Sequence, residues 1–227
     1  MNLLVILLIL PAIFITSLHR KTYHYFFPLA RFWAKAVLYG SGFQPKVRWD
    51  YRPDRNGQYL ICPNHTSMAD ILLTLALFPN EFLFIGKKEL SKWPLFGYFY
   101  RRTNLLVDRS SLRSRKQVFE KASEIVKEGK GLCIFPEGGA PREEVTLAPF
   151  KSGAFRLAVA HQIPIIPVTY LDCKRHFPFS LWRGGPGRLR VVVHPLLEPQ
   201  ENSPEEAARL QSACYRIILQ TLQSNKI

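Results

Sequence analysis

Residues 64–70 read Asn-His-Thr-Ser-Met-Ala-Asp, and this stretch decides the fold because it joins two unlike apolar runs. The run before it, residues 59–62, is short and closed by Pro63, which predicts a buried strand. The run after it, residues 71–78, is longer and predicts a helix. His65 therefore lies on a strand-to-helix turn, where a rigid scaffold often carries functional side chains.

The spacing of His65 and Asp70 limits how the two can meet. Two helical residues five positions apart point about 140° away from each other. They converge only if His65 is on the loop and Asp70 is in the first helical turn, with Ser67 as N-cap and Asp70 at the third helical position. A carboxylate on one ring nitrogen fixes the tautomer and makes the other nitrogen a base. The alternative is structural: Ser67 caps the helix, Asp70 completes a capping box, and His65 is a surface residue.

Length and charge bound the class of protein. The chain has 227 residues, enough for one α/β domain with a sizeable core. Lys and Arg number 31 against 17 Asp and Glu, a formal net charge of +14, which predicts a polyanionic partner. The basic residues are dispersed and no zinc-finger, RNP or helix-turn-helix signature is present. We therefore expect an anionic membrane surface and no nucleic acid.

The N-terminal segment supports a membrane partner. Residues 3–18 are almost entirely apolar apart from Pro11, but as a helix they would reach only about 24 Å, against a hydrocarbon core of about 30 Å. Both spanning the bilayer and lying in one leaflet remain open. No Lys or Arg precedes the run, which disfavours a signal peptide. The basic cluster at residues 19–21 favours a cytosolic location for the residues after it.

Residues 22–39 mix aromatic side chains with Arg31 and Lys35, a composition that suits the headgroup region of a bilayer. The alternative is a buried first helix of the soluble domain. We predict that residues 1–39 form a membrane anchor and that residues 40–227 form the α/β domain.

Strand-like and helix-like segments alternate along the domain, which predicts a single α/β domain with a largely parallel or mixed central sheet flanked by helices. The prolines at 164 and 167 suggest that their strand is at an edge or at a strand start. The predicted strands are residues 46–51, 59–62, 82–85, 104–107, 132–135, 163–170 and 189–194, and the main helices are residues 71–78, 111–128, 150–160 and 203–222.

The four cysteines are far apart and form no C-x-x-C pair. This spacing supports neither a zinc site nor a disulfide framework, and a reducing, cytosol-facing location is the simplest explanation. Cys62 and Cys133 lie in apolar runs and are expected to pack in the core.

Reactive side chains follow several predicted strands. His65 and Asp70 follow the first buried strand, and Lys87, Arg109 and Glu137 follow three others. The carboxyl ends of strands in an open α/β sheet line one crevice, so these groups can face a common pocket. Each also has a structural alternative, such as a solvated lysine, a turn ion pair or a tight turn.

Together these residues resemble the glycerolipid acyltransferase family, specifically its lysophosphatidic acid acyltransferases. The likeness covers most of the chain between residues 64 and 168, in four ordered blocks. The blocks are Asn64-His65-x-Ser67-x-x-Asp70 with its His-x4-Asp motif, Gly86-Lys87 through Leu90, Pro94 and Gly97 to Asp108-Arg109, Phe135-Pro136-Glu137-Gly138 followed by Phe150-Lys151-x-Gly153-Ala154, and Ile163-Pro164-Ile165-Ile166-Pro167-Val168.

The resemblance implies acyl transfer from a thioester to a free glycerol hydroxyl, with His65 as general base and Asp70 orienting it. It implies that Lys87, Arg109, Glu137 and Gly138 serve the acceptor and its phosphate, with Asn64 and Ser67 supporting the motif. No metal or prosthetic cofactor is expected. The expected product is phosphatidic acid from 1-acylglycerol-3-phosphate, and the donor is acyl-CoA or acyl carrier protein.

One departure leaves the acceptor open. After Phe-Pro-Glu-Gly the family usually has Thr or Ser and then a basic residue, whereas this chain has Gly139-Ala140-Pro141-Arg142. A lyso-aminolipid or another lysophospholipid is therefore an alternative acceptor. A thioester hydrolase and a non-enzymatic membrane-adsorbing module are further alternatives. The expected location is the cytoplasmic face of the inner or plasma membrane.

Overall fold

The structure is a computed structural model that describes residues 12, 15, 16, 22–92, 96–178 and 183–225. Nearly all of the apolar run at residues 3–18, and Pro94 of the second block, lie outside the described residues. Within the described ranges, no helix has the length and apolar character needed to cross a bilayer.

One mixed sheet of seven strands organises the described part of the chain. Its spatial order is β1-β7-β6-β2-β5-β3-β4. The five strands from β6 to β4 run parallel, β7 is antiparallel to β6, and β1 is parallel to β7. The strands are β1 Phe43–Trp49, β2 Leu60–Pro63, β3 Phe82–Lys87, β4 Asn104–Val107, β5 Gly131–Cys133, β6 Ile165–Tyr170 and β7 Gly187–Val193.

Helices cover both faces of the sheet and bury two apolar clusters against it. Helices α4, α5 and α7 pack on one face, and α1 and α2 pack on the other. The α/β class with a mixed central sheet is therefore confirmed. The helices are α1 Tyr23–Gly40, α2 Ala69–Leu77, α3 Phe96–Thr103, α4 Leu112–Lys127, α5 Gly153–His161, α6 Cys173–His176 and α7 Pro204–Ser224, with a 3₁₀ turn at Lys88–Lys92.

The suggestion that prolines place β6 at an edge is wrong, because β6 lies between β2 and β7. Pro164 precedes the strand, in agreement with the second part of that suggestion. Pro167 is tolerated in the interior because it lies where the β7 ladder ends. There its carbonyl accepts the N–H of His194, and no partner requires an N–H from Pro167.

Helix α1 has two different faces. Phe27, Ala34 and Leu38 are buried in the core cluster beneath the sheet, so this helix is packed on the domain. Phe32 and Tyr39, seven residues apart, are 59% and 61% exposed. One face of this helix is therefore a buried face of the domain, as the alternative interpretation of residues 22–39 predicts, and the other face presents aromatic rings outwards. Contact of that outer face with a bilayer stays a prediction.

The four cysteines are free and buried, and the packing role predicted for Cys62 and Cys133 is confirmed. The predicted start of the last helix is also confirmed. The Ser203 hydroxyl accepts the N–H of Glu206, and Pro204 occupies the first helical position.

Candidate active site

The turn after β2 folds around the carboxylate of Asp70. Its Oδ2 accepts the backbone N–H of Thr66 at 2.6 Å and that of Ser67 at 2.8 Å, and it lies 3.1 Å from Nδ1 of His65. Asp70 is fully buried, whereas the His65 side chain is 15% exposed. A buried carboxylate held by two backbone donors has little freedom to move. The predicted meeting of His65 and Asp70 is therefore present, with His65 on the loop and Asp70 in the first helical turn.

The expected N-cap is wrong by one residue. Helix α2 begins at Ala69, so its N-cap is Met68, which makes no side-chain capping hydrogen bond, and Asp70 is the second helical residue. The Ser67 hydroxyl instead accepts the N–H of Ala69 at 3.0 Å and donates to the carbonyl of Phe177 at 2.5 Å. The Asp70 carboxylate accepts the backbone N–H groups of the turn. This carboxylate, and not the Ser67 hydroxyl expected as N-cap, therefore closes the turn.

Asn64 fastens the same turn to the neighbouring strand. It is completely buried, its amide group donates to the carbonyl of Tyr170 at 3.1 Å, and its oxygen accepts the Tyr170 N–H at 2.7 Å. This pair of bonds continues the parallel pairing of β2 with β6 beyond the last strand residues. Asn64 and Ser67 therefore support the position of His65 through the backbone, as the motif predicts.

Glu137 holds the other side of the turn. One of its oxygens accepts the backbone N–H of His65 at 2.7 Å, and the other accepts that of Ala148 at 2.8 Å. Burial raises the pKa of Glu137, and these two N–H donors partly oppose that rise. The ring of Phe135 stacks on the imidazole, with centroids 4.2 Å apart. Glu137 therefore positions the His65 loop, and the geometry gives it no direct part in holding a phosphate.

Two cations meet the glycine turn that follows Glu137. A Cβ on Gly138, whose φ is +78°, would lie 2.9 Å from Nζ of Lys151, and a Cβ on Gly139 would lie 3.0 Å from a terminal nitrogen of Arg109. Neither cation makes an ion pair or side-chain hydrogen bond with any described residue. Two unpaired cations over a turn without side chains form a place for an anion, and Arg can grip a phosphate bidentately.

Lys87 is the last residue of β3 and lies at the same carboxyl end of the sheet, but it is less closely associated with the site. Its side chain is exposed, and it forms no ion pair with the residues that the structure describes. Its backbone contacts Tyr100. Burial raises the pKa of Tyr100, and the nearby positive charge of Arg109 opposes part of that rise. The structure therefore brings Arg109 and Gly138 to the dyad more directly than it brings Lys87.

Two contributors were not assigned by sequence reasoning. Lys151 belongs to the third block, but nothing in the spacing shows that it reaches back to Gly138. Cys173 is a buried neighbour of Asp70. The pKa of its thiol is raised well above its usual range, first by burial and then by the Asp70 charge.

The fold and the site define a class: an α/β domain with a carboxylate-oriented histidine at the carboxyl end of a central parallel strand, beside a pair of unpaired cations. A histidine held in this way can take a proton from a hydroxyl or from water. The adjacent cations would favour a reactant that carries a phosphate.

The chain belongs to the Acyltransferase family, whose model matches residues 44–171. It is 27% identical over 81% of its length to the chloroplastic 1-acyl-sn-glycerol-3-phosphate acyltransferase BAT2 of Brassica napus. It is 30% identical over 68% of its length to the 1-acyl-sn-glycerol-3-phosphate acyltransferase of Helicobacter pylori. The chain spans 53% of the first relative and 66% of the second.

The same fold occurs in a solved structure. The crystal structure of PlsC, the 1-acyl-sn-glycerophosphate acyltransferase of Thermotoga maritima, superposes with a TM-score of 0.77 at 22% identity. The match covers 98% of this chain and 95% of the other. At this level of identity the likeness supports the fold alone.

Proposed function

We propose that this protein transfers a fatty acyl group from a thioester to the free hydroxyl of 1-acylglycerol-3-phosphate, giving phosphatidic acid. The single observation that carries the proposal is the His65–Asp70 contact at 3.1 Å, placed next to two cations without a carboxylate partner. The names of the Brassica napus and Helicobacter pylori relatives support the same reaction.

The proposed chemistry needs one base and one leaving thiol. Asp70 occupies Nδ1 of His65, so Nε2 is the atom that takes the proton from the acceptor hydroxyl. The hydroxyl oxygen attacks the thioester carbonyl carbon, the C–S bond breaks, and the imidazolium returns its proton to the departing thiolate. A general base of this kind contributes roughly 10²–10⁴-fold to the rate. The thioester is already activated, so the proposal includes no metal and no prosthetic group.

Ser67 has no nucleophilic role in this scheme. Its hydroxyl is buried, and both its donor and an acceptor position are used by backbone groups. Direct attack by the acceptor requires no acyl-enzyme.

The acceptor phosphate is assigned to Arg109 and Lys151. The hydroxyl and basic side chains that the family usually has after Phe-Pro-Glu-Gly are missing at Gly139 and Ala140. The lack of a side chain at Gly139 lets the guanidinium of Arg109 approach the turn. Two cations suit a phosphate monoester, which carries more negative charge than the phosphodiester of lysophosphatidylethanolamine or lysophosphatidylcholine. This charge difference favours 1-acylglycerol-3-phosphate over the alternative acceptor.

Membrane association is part of the proposal. The exposed aromatic side chains of α1, including Phe32 and Tyr39, suit the headgroup region of a bilayer. The net charge of +14 adds attraction to anionic lipid, worth about 1 kcal/mol for each basic residue near the surface. We place the protein on the cytoplasmic face of the inner or plasma membrane, where the acceptor lipid enters from the bilayer.

The test is an acylation panel that varies both substrates. Purified protein in mixed micelles is given acyl-CoA or acyl carrier protein, with 1-acylglycerol-3-phosphate, lysophosphatidylethanolamine, lysophosphatidylcholine or no acceptor. Fastest transfer to the phosphate monoester supports the proposal. Faster transfer to a lyso-aminolipid, or thioester cleavage that is equally fast without acceptor, contradicts it. His65→Ala must abolish transfer while the variant unfolds at an unchanged temperature. A folded His65→Ala protein with substantial turnover would remove the general-base role.

A further inference from the structure

A second basic cleft lies on the other side of the dyad. It has a volume of about 490 Å³ and begins at Thr66, the residue after His65. The other residues that matter for its chemistry are Lys174, Arg175 and Arg190. Small-molecule sites typically measure about 300–1,000 Å³, so the cleft can hold part of a cosubstrate.

The strand order separates this cleft from the cations assigned to the acceptor. Most of the charged lining of the cleft follows β6, Arg190 belongs to β7, Thr66 follows β2, and only Thr146 comes from the loop after β5. Arg109 follows β4, and Gly138 follows β5, which lie on the opposite side of β2 in the sheet. His65 follows β2 itself and is therefore placed between two positively charged regions. This arrangement suits a transfer in which both substrates carry phosphate. Each phosphate can lie on its own side of His65, and the acyl group moves from one substrate to the other beside the imidazole.

The cleft is positively charged, and one of its three described cations is uncommitted. Asp172 is its acidic residue, and the guanidinium of Arg190 binds both of its oxygens, at 2.8 and 2.7 Å. This partner holds the pKa of Asp172 below its usual value despite the opposing effect of burial. Lys174 donates to the carbonyls of Glu143 and Val145. Arg175 is exposed, and its guanidinium has no ion pair or hydrogen bond among the residues that the structure describes.

Thr66 adds a polar atom without a partner. Its hydroxyl oxygen is buried and forms no hydrogen bond with any described residue, although Thr66 lines the cleft. A buried hydroxyl left unsatisfied costs about 1–3 kcal/mol. An amide that entered the cleft beside Thr66 would provide the missing hydrogen bond once the side chain turns this buried hydroxyl towards it. A phosphopantetheine arm carries two amides and a phosphate on one chain and ends in the sulfur that bears the acyl group.

We propose that this cleft binds the phosphopantetheine arm of the thioester donor, with Arg175 on its phosphate and Thr66 on one of its amides. The inference rests on the proposed function and extends it, because it assigns the donor side of the reaction. The arm is the same chemical group in coenzyme A and in an acyl carrier protein, so either source can use the cleft.

Arg175→Glu tests the phosphate contact. With acyl-CoA, this variant should raise the donor KM about 10- to 100-fold, the loss expected for a charge-assisted hydrogen bond. The acceptor KM should stay unchanged. With acyl-pantetheine, which lacks the phosphates, the donor KM should also stay unchanged. Arg115→Glu on helix α4 is the matched control, because it makes the same charge change at an exposed residue that does not line the cleft.

Thr66→Val tests the amide contact and should raise the donor KM for acyl-CoA and acyl-pantetheine alike. If Arg175→Glu changes the KM of acyl-CoA and acyl carrier protein equally, both sources use the cleft. A larger change with acyl carrier protein than with acyl-CoA would identify the carrier protein as the preferred source. The proposal is overturned if Arg175→Glu raises the acceptor KM, or if it has the same effect on acyl-CoA as on acyl-pantetheine.

Failure of the proposed function would look different. If the wild-type protein transfers an acyl group from no thioester, the proposed reaction is wrong. The affinity for coenzyme A, measured by calorimetry, still tests the cleft. Binding that weakens about tenfold or more in Arg175→Glu, and stays unchanged in Arg115→Glu, supports the cleft without turnover. Equal affinity in all three proteins, or binding to none of them, overturns it.

Discussion

Replacing Asp70 with Asn separates the charge of this residue from its shape. Thr66 and Ser67 both donate their backbone N–H groups to Oδ2. In the Asp70→Asn variant these two donors require an acceptor, so the amide oxygen takes the Oδ2 place and the NH₂ group points away. That oxygen can still accept from Nδ1 of His65, 3.1 Å away. We therefore expect the variant to keep the tautomer of His65 and to lose only the negative charge.

The size of the effect follows from Coulomb's law. When His65 takes the proton it becomes a cation, and the centres of the two delocalised charges are roughly 4 Å apart. With an effective dielectric constant of about 20, their attraction is about 4 kcal/mol, which corresponds to a loss of about 10³-fold in kcat. A variant that selected the wrong tautomer would lose about 10⁴-fold.

The assay is the initial rate of acyl transfer at saturating donor and acceptor, with thermal unfolding of each variant measured in parallel. Asp54→Asn makes the same change on an exposed loop and should leave both quantities unchanged. A loss below about tenfold would show that the Asp70 carboxylate does not stabilise the imidazolium. A loss as large as that of His65→Ala, in a folded protein, would show that the backbone donors do not hold the amide in the expected orientation.

Three further predictions concern the anion site and the core. Arg109→Ala and Lys151→Ala should each raise the acceptor KM about 10- to 100-fold without changing the donor KM; equal changes in both KM values would remove these residues from the phosphate site. Gly138→Ala should displace the Lys151 side chain, which lies 2.8 Å from the new Cβ at its Cε, and place an alanine at a φ of +78°. The variant should lose about 1–2 kcal/mol of unfolding free energy and raise the acceptor KM; an unchanged KM would show that Lys151 need not lie there. Burial lowers the pKa of His194 from 6.5 to about 4, so the unfolded chain binds a proton below pH 6.5 that the folded protein resists. The stabilisation is complete above pH 6.5 and falls by up to about 3 kcal/mol towards pH 4. Urea unfolding across this range should show that slope in the wild type and a flatter one in His194→Gln.

Features set by nearby residues could be predicted from the sequence. The strand at Asn104–Val107 and the start of α7 at Ser203-Pro204 appear where the pattern places them. His65 and Asp70 meet because only a few residues separate them, so a single loop and one helical turn determine their distance. Local sequence does not determine the exact N-cap, because Ser67 and Asp70 can both satisfy the same backbone donors.

Features that join distant parts of the chain were decided by the tertiary structure. The sequence did not show that β6 lies inside the sheet, since a proline in a strand is also compatible with an edge. Nor did it show that Lys151 reaches Gly138, or that the Glu137 carboxylate is taken up by the N–H groups of His65 and Ala148. The physical reason is that capping and periodicity act over a few residues, whereas these contacts depend on which strands become neighbours and on how the loops at their ends pack together.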